Sequence, residues 1–218
     1  MELKGLKINF LGDSITEGHG TSSVDKRFTN LIAEEYGAKC RNYGIGGTRI
    51  ARQTEESECD IWDRDYIARV DEMDPDADLI VVFGGTNDFG HGDALMGSMT
   101  DRTPYTFYGA VHCLYTSLIE KYPTSAIAVL TPLHRGNEEN LRGDGGKKTD
   151  VGTLKDYVEA IREVAEFYSL PVLDLFSSSG LQPRVPIIQE KYIPDCLHPN
   201  DEGHKVLASK IVNFIKTL

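Results

Sequence analysis

The sequence predicts an α/β protein built on one doubly wound parallel sheet. Short apolar runs of strand length alternate with longer segments whose apolar residues recur at helical spacing. The clearest run, Leu79-Ile80-Val81-Val82-Phe83, is apolar without a break. That is the pattern of a strand covered on both faces, not of one with a wet side. A strand–helix–strand order implies parallel strands, right-handed crossovers and helices on both faces.

The elements follow in order. Residues 6–11 form the first strand, which stops at a Gly12-Asp13-Ser14 turn. Phe28–Tyr36 carries apolar residues at 28, 31, 32 and 36, a helical spacing. Residues 39–43 make a weaker second strand that runs into Tyr43-Gly44-Ile45-Gly46-Gly47. Leu79–Phe83 is the third strand, 105–122 a helix halted by Pro123, and Ala126–Leu130 the fourth strand. Residues 154–168 read as an amphipathic helix and 172–175 as a short fifth strand. The last helix starts near Asp201 and turns Val206, Leu207, Ile211, Phe214, Ile215 and Leu218 inward. The expected architecture is a three-layer α/β/α sandwich on a flavodoxin-like, five-stranded parallel sheet. Residues 138–152, Gly-rich and charged, lie between a strand and its helix and read as a mobile loop at the functional crevice, not a linker.

With 218 residues and 40% hydrophobic content the chain can bury a substantial core, and a single domain over 1–218 is expected. The formal net charge of -11 argues against a nucleic-acid partner and against docking on anionic membranes. The N-terminus leads directly into a strand without a secretory apolar region, and no apolar run approaches the roughly 18 residues of a membrane span. A cytoplasmic protein without stable membrane association is the expectation. Cys40, Cys59, Cys113 and Cys196 are widely spaced and read as free thiols. No metal-binding spacing such as H-x-x-x-H occurs, and the glycines of 44–47 lack the third glycine of a dinucleotide fingerprint. Neither a metal nor an organic cofactor is expected.

In a doubly wound sheet the loops after the carboxyl ends of the strands form the functional crevice. Four stretches converge there: Gly12-Asp13-Ser14, Gly46-Gly47, Gly84-Gly85-Thr86-Asn87-Asp88, and Asp195-Cys196-Leu197-His198-Pro199 before the last helix. Acyl transfer through a serine needs a base for the hydroxyl proton, a group that holds the base, and donors aimed at the developing oxyanion. Asp195 and His198, three apart, can share one side of a turn, with Asp195 orienting His198 for Ser14. Gly47 can bring a bare N–H to a substrate, Asn87 offers a neutral amide donor, and the Ser14 N–H would be a third. Singly, each has a plainer reading: Ser14 as a helix cap, Asp195 and Asn87 as turn formers, His198 as a loop residue.

Together the blocks GDSIT, NYGIGG, GGTND and DCLHP resemble those of the SGNH hydrolases, the GDSL-type esterases and lipases, in family order and over nearly the whole chain. The resemblance implies the SGNH hydrolase fold, with Ser14 as nucleophile, His198 as base, Asp195 as its partner, and an oxyanion hole from Ser14, Gly47 and Asn87. The doubled glycine leaves Gly46 open as the donor. Ile15 stands where many members carry Leu, and the G-x-S-x-G elbow of α/β-hydrolases is absent.

Asp13, His91, His134 and Arg135 follow strand ends and are candidates for contact with substrate polar groups, Asp13 also reading as a local turn former. His204, in the last helix, reads as solvated. The crevice loops are polar or mixed and no long apolar lid is evident, so the expected partner is a small ester, short in its acyl group, of a polar or carbohydrate alcohol. A lysophospholipase or thioesterase, an O-acyltransferase with the same triad, and a non-catalytic binding module are the alternatives.

Overall fold

In the computed structural model, which describes all 218 residues, β1 (Lys7–Gly12) is an interior strand with β2 (Lys39–Gly44) on one side and β3 (Leu79–Phe83) on the other. β4 (Ala126–Leu130) and β5 (Val172–Leu173) complete a sheet of order β2-β1-β3-β4-β5, parallel throughout. Gly12 lies opposite both Gly44 and Phe83, so the first three strands end level. The loops leaving them emerge at one edge, as the winding requires.

Strand side chains alternate between two apolar layers. Leu11, Ile80, Val82, Ile127 and Val129 face the layer covered by α5 (Phe107–Lys121) and α6 (Leu154–Phe167). Ile8, Phe10, Leu79, Val81, Phe83, Ala128 and Leu130 face the other, covered by α2 (Phe28–Tyr36) and α9 (Asp201–Ile215). All five expected strands and all four long helices are present.

The ends move where a polar side chain intervenes. The Thr106 hydroxyl accepts from the Gly109 N–H, so the fourth-strand approach helix begins at Phe107 and not at 105. The fifth strand stops at Leu173, short of the expected 175. Asp174 there accepts from the Thr131 hydroxyl and the Ser177 N–H and caps the short helix α7 (Leu175–Ser178). His204 is a correction: it is fully buried, stacked on Phe28, and its Nδ1 accepts the Phe28 N–H at 3.1 Å. Burial pushes its pKa down to about 4.

Short helices add what periodicity did not reveal: α1 (Ser14–Glu17), α3 (Tyr66–Arg69), α4 (Thr86–His91) and α8 (Pro186–Tyr192). α1 packs directly over the end of β2, and a Cβ on Gly44 would lie 2.2 Å from the Glu17 backbone nitrogen. Gly44→Ala is therefore expected to destabilise the fold by about 1–3 kcal/mol, the range for overpacking a rigid contact. A urea midpoint equal to wild type would show that α1 can lift away freely.

Candidate active site

The site grows from the end of β1. Asp13, extended in backbone, caps α1 by accepting the Ile15 N–H at 3.0 Å. The cap is thus Asp13, and Ser14 is the first helical residue. Its backbone N–H is one of the first-turn donors that no intrahelical carbonyl can accept. Gly18, at φ +99°, ends the helix after one turn and returns its N–H to the Ser14 carbonyl.

The 195–198 turn meets Ser14 from the far end of the chain. One Asp195 oxygen accepts the backbone N–H groups of Leu197 (2.9 Å) and His198 (2.6 Å). The other lies 2.7 Å from His198 Nδ1, and His198 Nε2 lies 3.0 Å from the Ser14 hydroxyl. A carboxylate at Nδ1 selects the tautomer protonated there, leaving the Nε2 lone pair to the serine. Cys196 takes φ +63° to close the turn. Burial holds the His198 pKa below its ordinary value; Asp195 opposes this, while His19, its ring 4.5 Å away, and Arg135 add to it. Burial pulls Asp195 upward, but its bonds from His198 and Leu197 outweigh that and keep the carboxyl below the usual range.

The loop after β2 supplies the amides. The Gly46 N–H donates to the Glu17 carboxylate at 2.7 Å, whereas the Gly47 N–H donates to no group of the protein. Gly47 sits at φ +75°, and a Cβ there would lie 2.1 Å from the Trp62 indole. Both facts restrict the position to glycine. Asn87 reaches across from α4 and donates its amide to the Thr48 carbonyl at 3.0 Å, with a second amide hydrogen left over. Arg69 fastens the whole edge. Its buried guanidinium donates to the carbonyls of Tyr43 (2.7 Å) and Gly12 (3.2 Å) and to the Thr48 hydroxyl (2.9 Å). Asp88 accepts the N–H groups of Ile50 and Ala51 and so ties the next stretch of the loop to α4.

Ser14, Gly47, Asn87, Asp195 and His198 thus converge, but the four further candidates scatter. Asp13 is buried under the helix it caps. His134 bonds Glu138 and stacks on Phe176. Arg135 is buried, held by Asp144 and the Thr86 carbonyl, with its guanidinium over the Phe89 ring. His91 borders a cavity of about 540 Å³ between residues 53–62 and 146–151. The expected mobile loop is pinned on that side: the Lys147 amine is inserted between the Asp88 carbonyl (2.6 Å) and the Tyr157 hydroxyl (2.8 Å). No group of three or more His, Cys, Asp or Glu side chains is placed to hold a metal ion, and no helix is long and apolar enough to cross a membrane.

Sequence reasoning missed Arg69, Trp62, Glu17 and Lys147. None lies in a recognisable block, and their partners are distant in sequence. Trp62, on a turn at Asp60–Asp63, carried the one available signal, being the only tryptophan of the chain.

The sequence model of the GDSL-like Lipase/Acylhydrolase family matches residues 10–206. A crystal structure 31% identical covers 100% of this chain and 99% of its own, with a TM-score of 0.85. A protein from Lactobacillus plantarum is 30% identical over 99% of this chain and 98% of its own, with a TM-score of 0.83. A two-domain esterase active on acetylated mannans shares the fold at 21% identity over 99% of this chain and 49% of its own, with a TM-score of 0.62. No curated protein matches the chain.

Asp13 has a measurable consequence. Burial pushes its carboxyl up to about 7, helped by nearby Asp88 and opposed by the Ile15 amide and Arg69. An unfolded aspartate titrates near about 3.9. Between these values the folded chain holds a proton that the unfolded chain releases. The stability this carboxyl contributes is present below about pH 4 and is lost as pH rises through about 7. Asp13→Asn keeps a cap acceptor and removes the titration. Its stability relative to wild type is expected to rise by roughly 1–4 kcal/mol between about pH 4 and 8 in urea unfolding. A difference independent of pH would refute the assignment.

Proposed function

Since the chain belongs to the GDSL-like Lipase/Acylhydrolase family, and is thereby an ester-cleaving hydrolase, we propose that it removes short acyl groups, acetyl foremost, from a polar or carbohydrate alcohol through an acyl-Ser14 intermediate. The observation that carries the reading is the relay Asp195–His198–Ser14, with contacts of 2.7 and 3.0 Å, facing the unengaged Gly47 N–H.

Ser14 Oγ attacks the ester carbonyl while His198 Nε2 takes its proton. Asp195 holds the ring and stabilises the imidazolium that results. The carbonyl oxygen, now negative, receives the Ser14 and Gly47 backbone N–H groups and the remaining amide hydrogen of Asn87. Collapse breaks the bond to the alcohol oxygen, to which His198 returns the proton. Water then attacks acyl-Ser14 with His198 again the base, and the acid is released. His198 must be neutral to begin, so its depressed pKa extends activity toward acid.

Three things support a short acyl group on a polar alcohol. The cavity beside the site is lined by sixteen residues of which Trp62 and Val151 are the apolar ones, so a long acyl chain has no apolar bed there. The crevice loops carry no apolar lid. An esterase of the same fold acts on acetylated mannans.

Ser14→Ala is expected to abolish turnover of a chromogenic acetate ester and labelling by a fluorophosphonate; full activity in that variant would overturn the reading. Asn87→Ala should lower kcat by about 100- to 1000-fold in a protein that still folds. The acid limb of kcat/KM should have its midpoint below about 6.5, activity being lost as pH falls through the His198 pKa. In a series of acyl lengths acetate should be preferred, and a preference for long chains would favour a lipolytic enzyme instead.

A further inference from the structure

The cavity next to the catalytic edge has no part in the chemistry derived above. It lies between residues 53–62 and 146–151, and its volume of about 540 Å³ is within the roughly 300–1,000 Å³ of small-molecule sites. It joins the acyl-transfer edge through one side chain. The Trp62 indole rests against Gly47 on one side and against the His91 ring, 4.8 Å between centroids, on another. His91 is the last residue of the helix that begins with Thr86-Asn87. A molecule on Trp62 is therefore a neighbour of any ester whose carbonyl lies at Gly47 and Asn87.

The lining selects among occupants. An acyl chain would lie against carboxylates, amines and hydroxyls, removing their water without replacing it. A phosphate or other anion would meet Glu55, Glu56, Glu58 and Asp93, while the cations of the cavity are already engaged. Arg49 is paired with Asp63, Lys148 with Glu55, and Lys147 donates to Asp88 and Tyr157. Those ion pairs leave Glu56 and Glu58 as unpaired acceptors. A neutral polyol ring suits this set. Its hydroxyls donate to carboxylates in charge-assisted bonds, and its polarised C–H face is attracted to the negative face of an indole.

We propose that this cavity is a sugar-binding subsite, with Trp62 as its platform and Glu56 and Glu58 as hydroxyl acceptors, that receives the alcohol part of an acylated oligosaccharide. The subsite rests on the esterase reading for its position as the leaving-group side, but the binding itself does not need the chemistry. It also separates substrates by size. A simple acetate ester has no part to fill this cavity, whereas an acetylated oligosaccharide would be held there as well as at Ser14.

Trp62 is the only tryptophan of the chain, so intrinsic fluorescence reports on this cavity. The experiment titrates wild type and Ser14→Ala with unacetylated mannotriose and xylotriose, and in parallel with glycerol, inorganic phosphate and a lysophosphatidylcholine. A saturable change in tryptophan emission with a trisaccharide is expected in both proteins. Glu58→Ala should raise the trisaccharide Kd about fivefold or more, as loss of one charge-assisted bond would. The proposal is overturned if no trisaccharide gives a saturable change, or if only glycerol, phosphate or the lysolipid does, or if Glu58→Ala leaves the Kd unchanged. The two readings fail separately. Acetate hydrolysis without a trisaccharide response removes the subsite and leaves the esterase. A trisaccharide response with no Ser14-dependent hydrolysis leaves the sugar site and removes the esterase.

Discussion

One buried guanidinium fixes the geometry on which the catalytic edge depends. The first three strands end level, and the Gly12 carbonyl there accepts the Ile45 N–H as well as the Arg69 guanidinium. Arg69 donates also to the Tyr43 carbonyl and to the Thr48 hydroxyl. No carboxylate contacts it directly. Burial lowers its pKa, offset by the charge of nearby Asp13, and its guanidinium lies 4.6 Å from the Tyr66 ring centroid. The cation is kept because its donors have fixed carbonyl acceptors in a planar fork that lysine could not reproduce. Ser14 follows Gly12 by two residues, Gly47 follows Tyr43 by four, and Thr48 accepts Asn87. Ser14, Gly47 and Asn87 are therefore positioned from the same group.

Around that pin the loop after β2 has little freedom. Glu17, one helical turn beyond Ser14, accepts the Gly46 N–H, so the next amide, that of Gly47, is the one left without a protein acceptor. Asp88 clamps Ile50 and Ala51. Preorganisation of this kind is what makes oxyanion donors effective, because no reorganisation is needed when charge develops. The opposite partner, His198, is tuned by competition. Burial favours the neutral ring that can act as base, while Asp195 keeps the charged form accessible for the moment after proton transfer.

What the sequence made legible follows from how local each signal is. Leu79–Phe83 and the 154–168 helix announce themselves because continuous apolar runs and a 3.6-residue stripe are properties of the segment itself. The Gly12-Asp13-Ser14 and Asp195–His198 turns are legible for the same reason, their internal hydrogen bonds spanning two or three residues. Arg69 and Trp62 were not, since their meaning is set by Gly12 and Gly47, 57 residues away in the first case. Lys147 lies in the segment whose Gly-rich, charged composition reads as a mobile loop; lysines are almost never buried without a partner, and here a carbonyl and a tyrosine hydroxyl serve. His204 is different. Its inward stripe with Leu207, Ala208, Ile211 and Ile215 was present in the sequence and was obscured only by taking histidine as polar.

Trp62 links recognition to catalysis through a steric condition. Gly47 is left-handed and a side chain there would collide with the Trp62 ring, so the indole and the Gly47 backbone are in direct contact. In the proposed subsite, an occupant that orders the Trp62 ring would also order the Gly47 loop packed against it. Binding energy gained far from the reacting carbonyl can in this way be realised as better placement of the oxyanion hole, which raises kcat and not merely affinity.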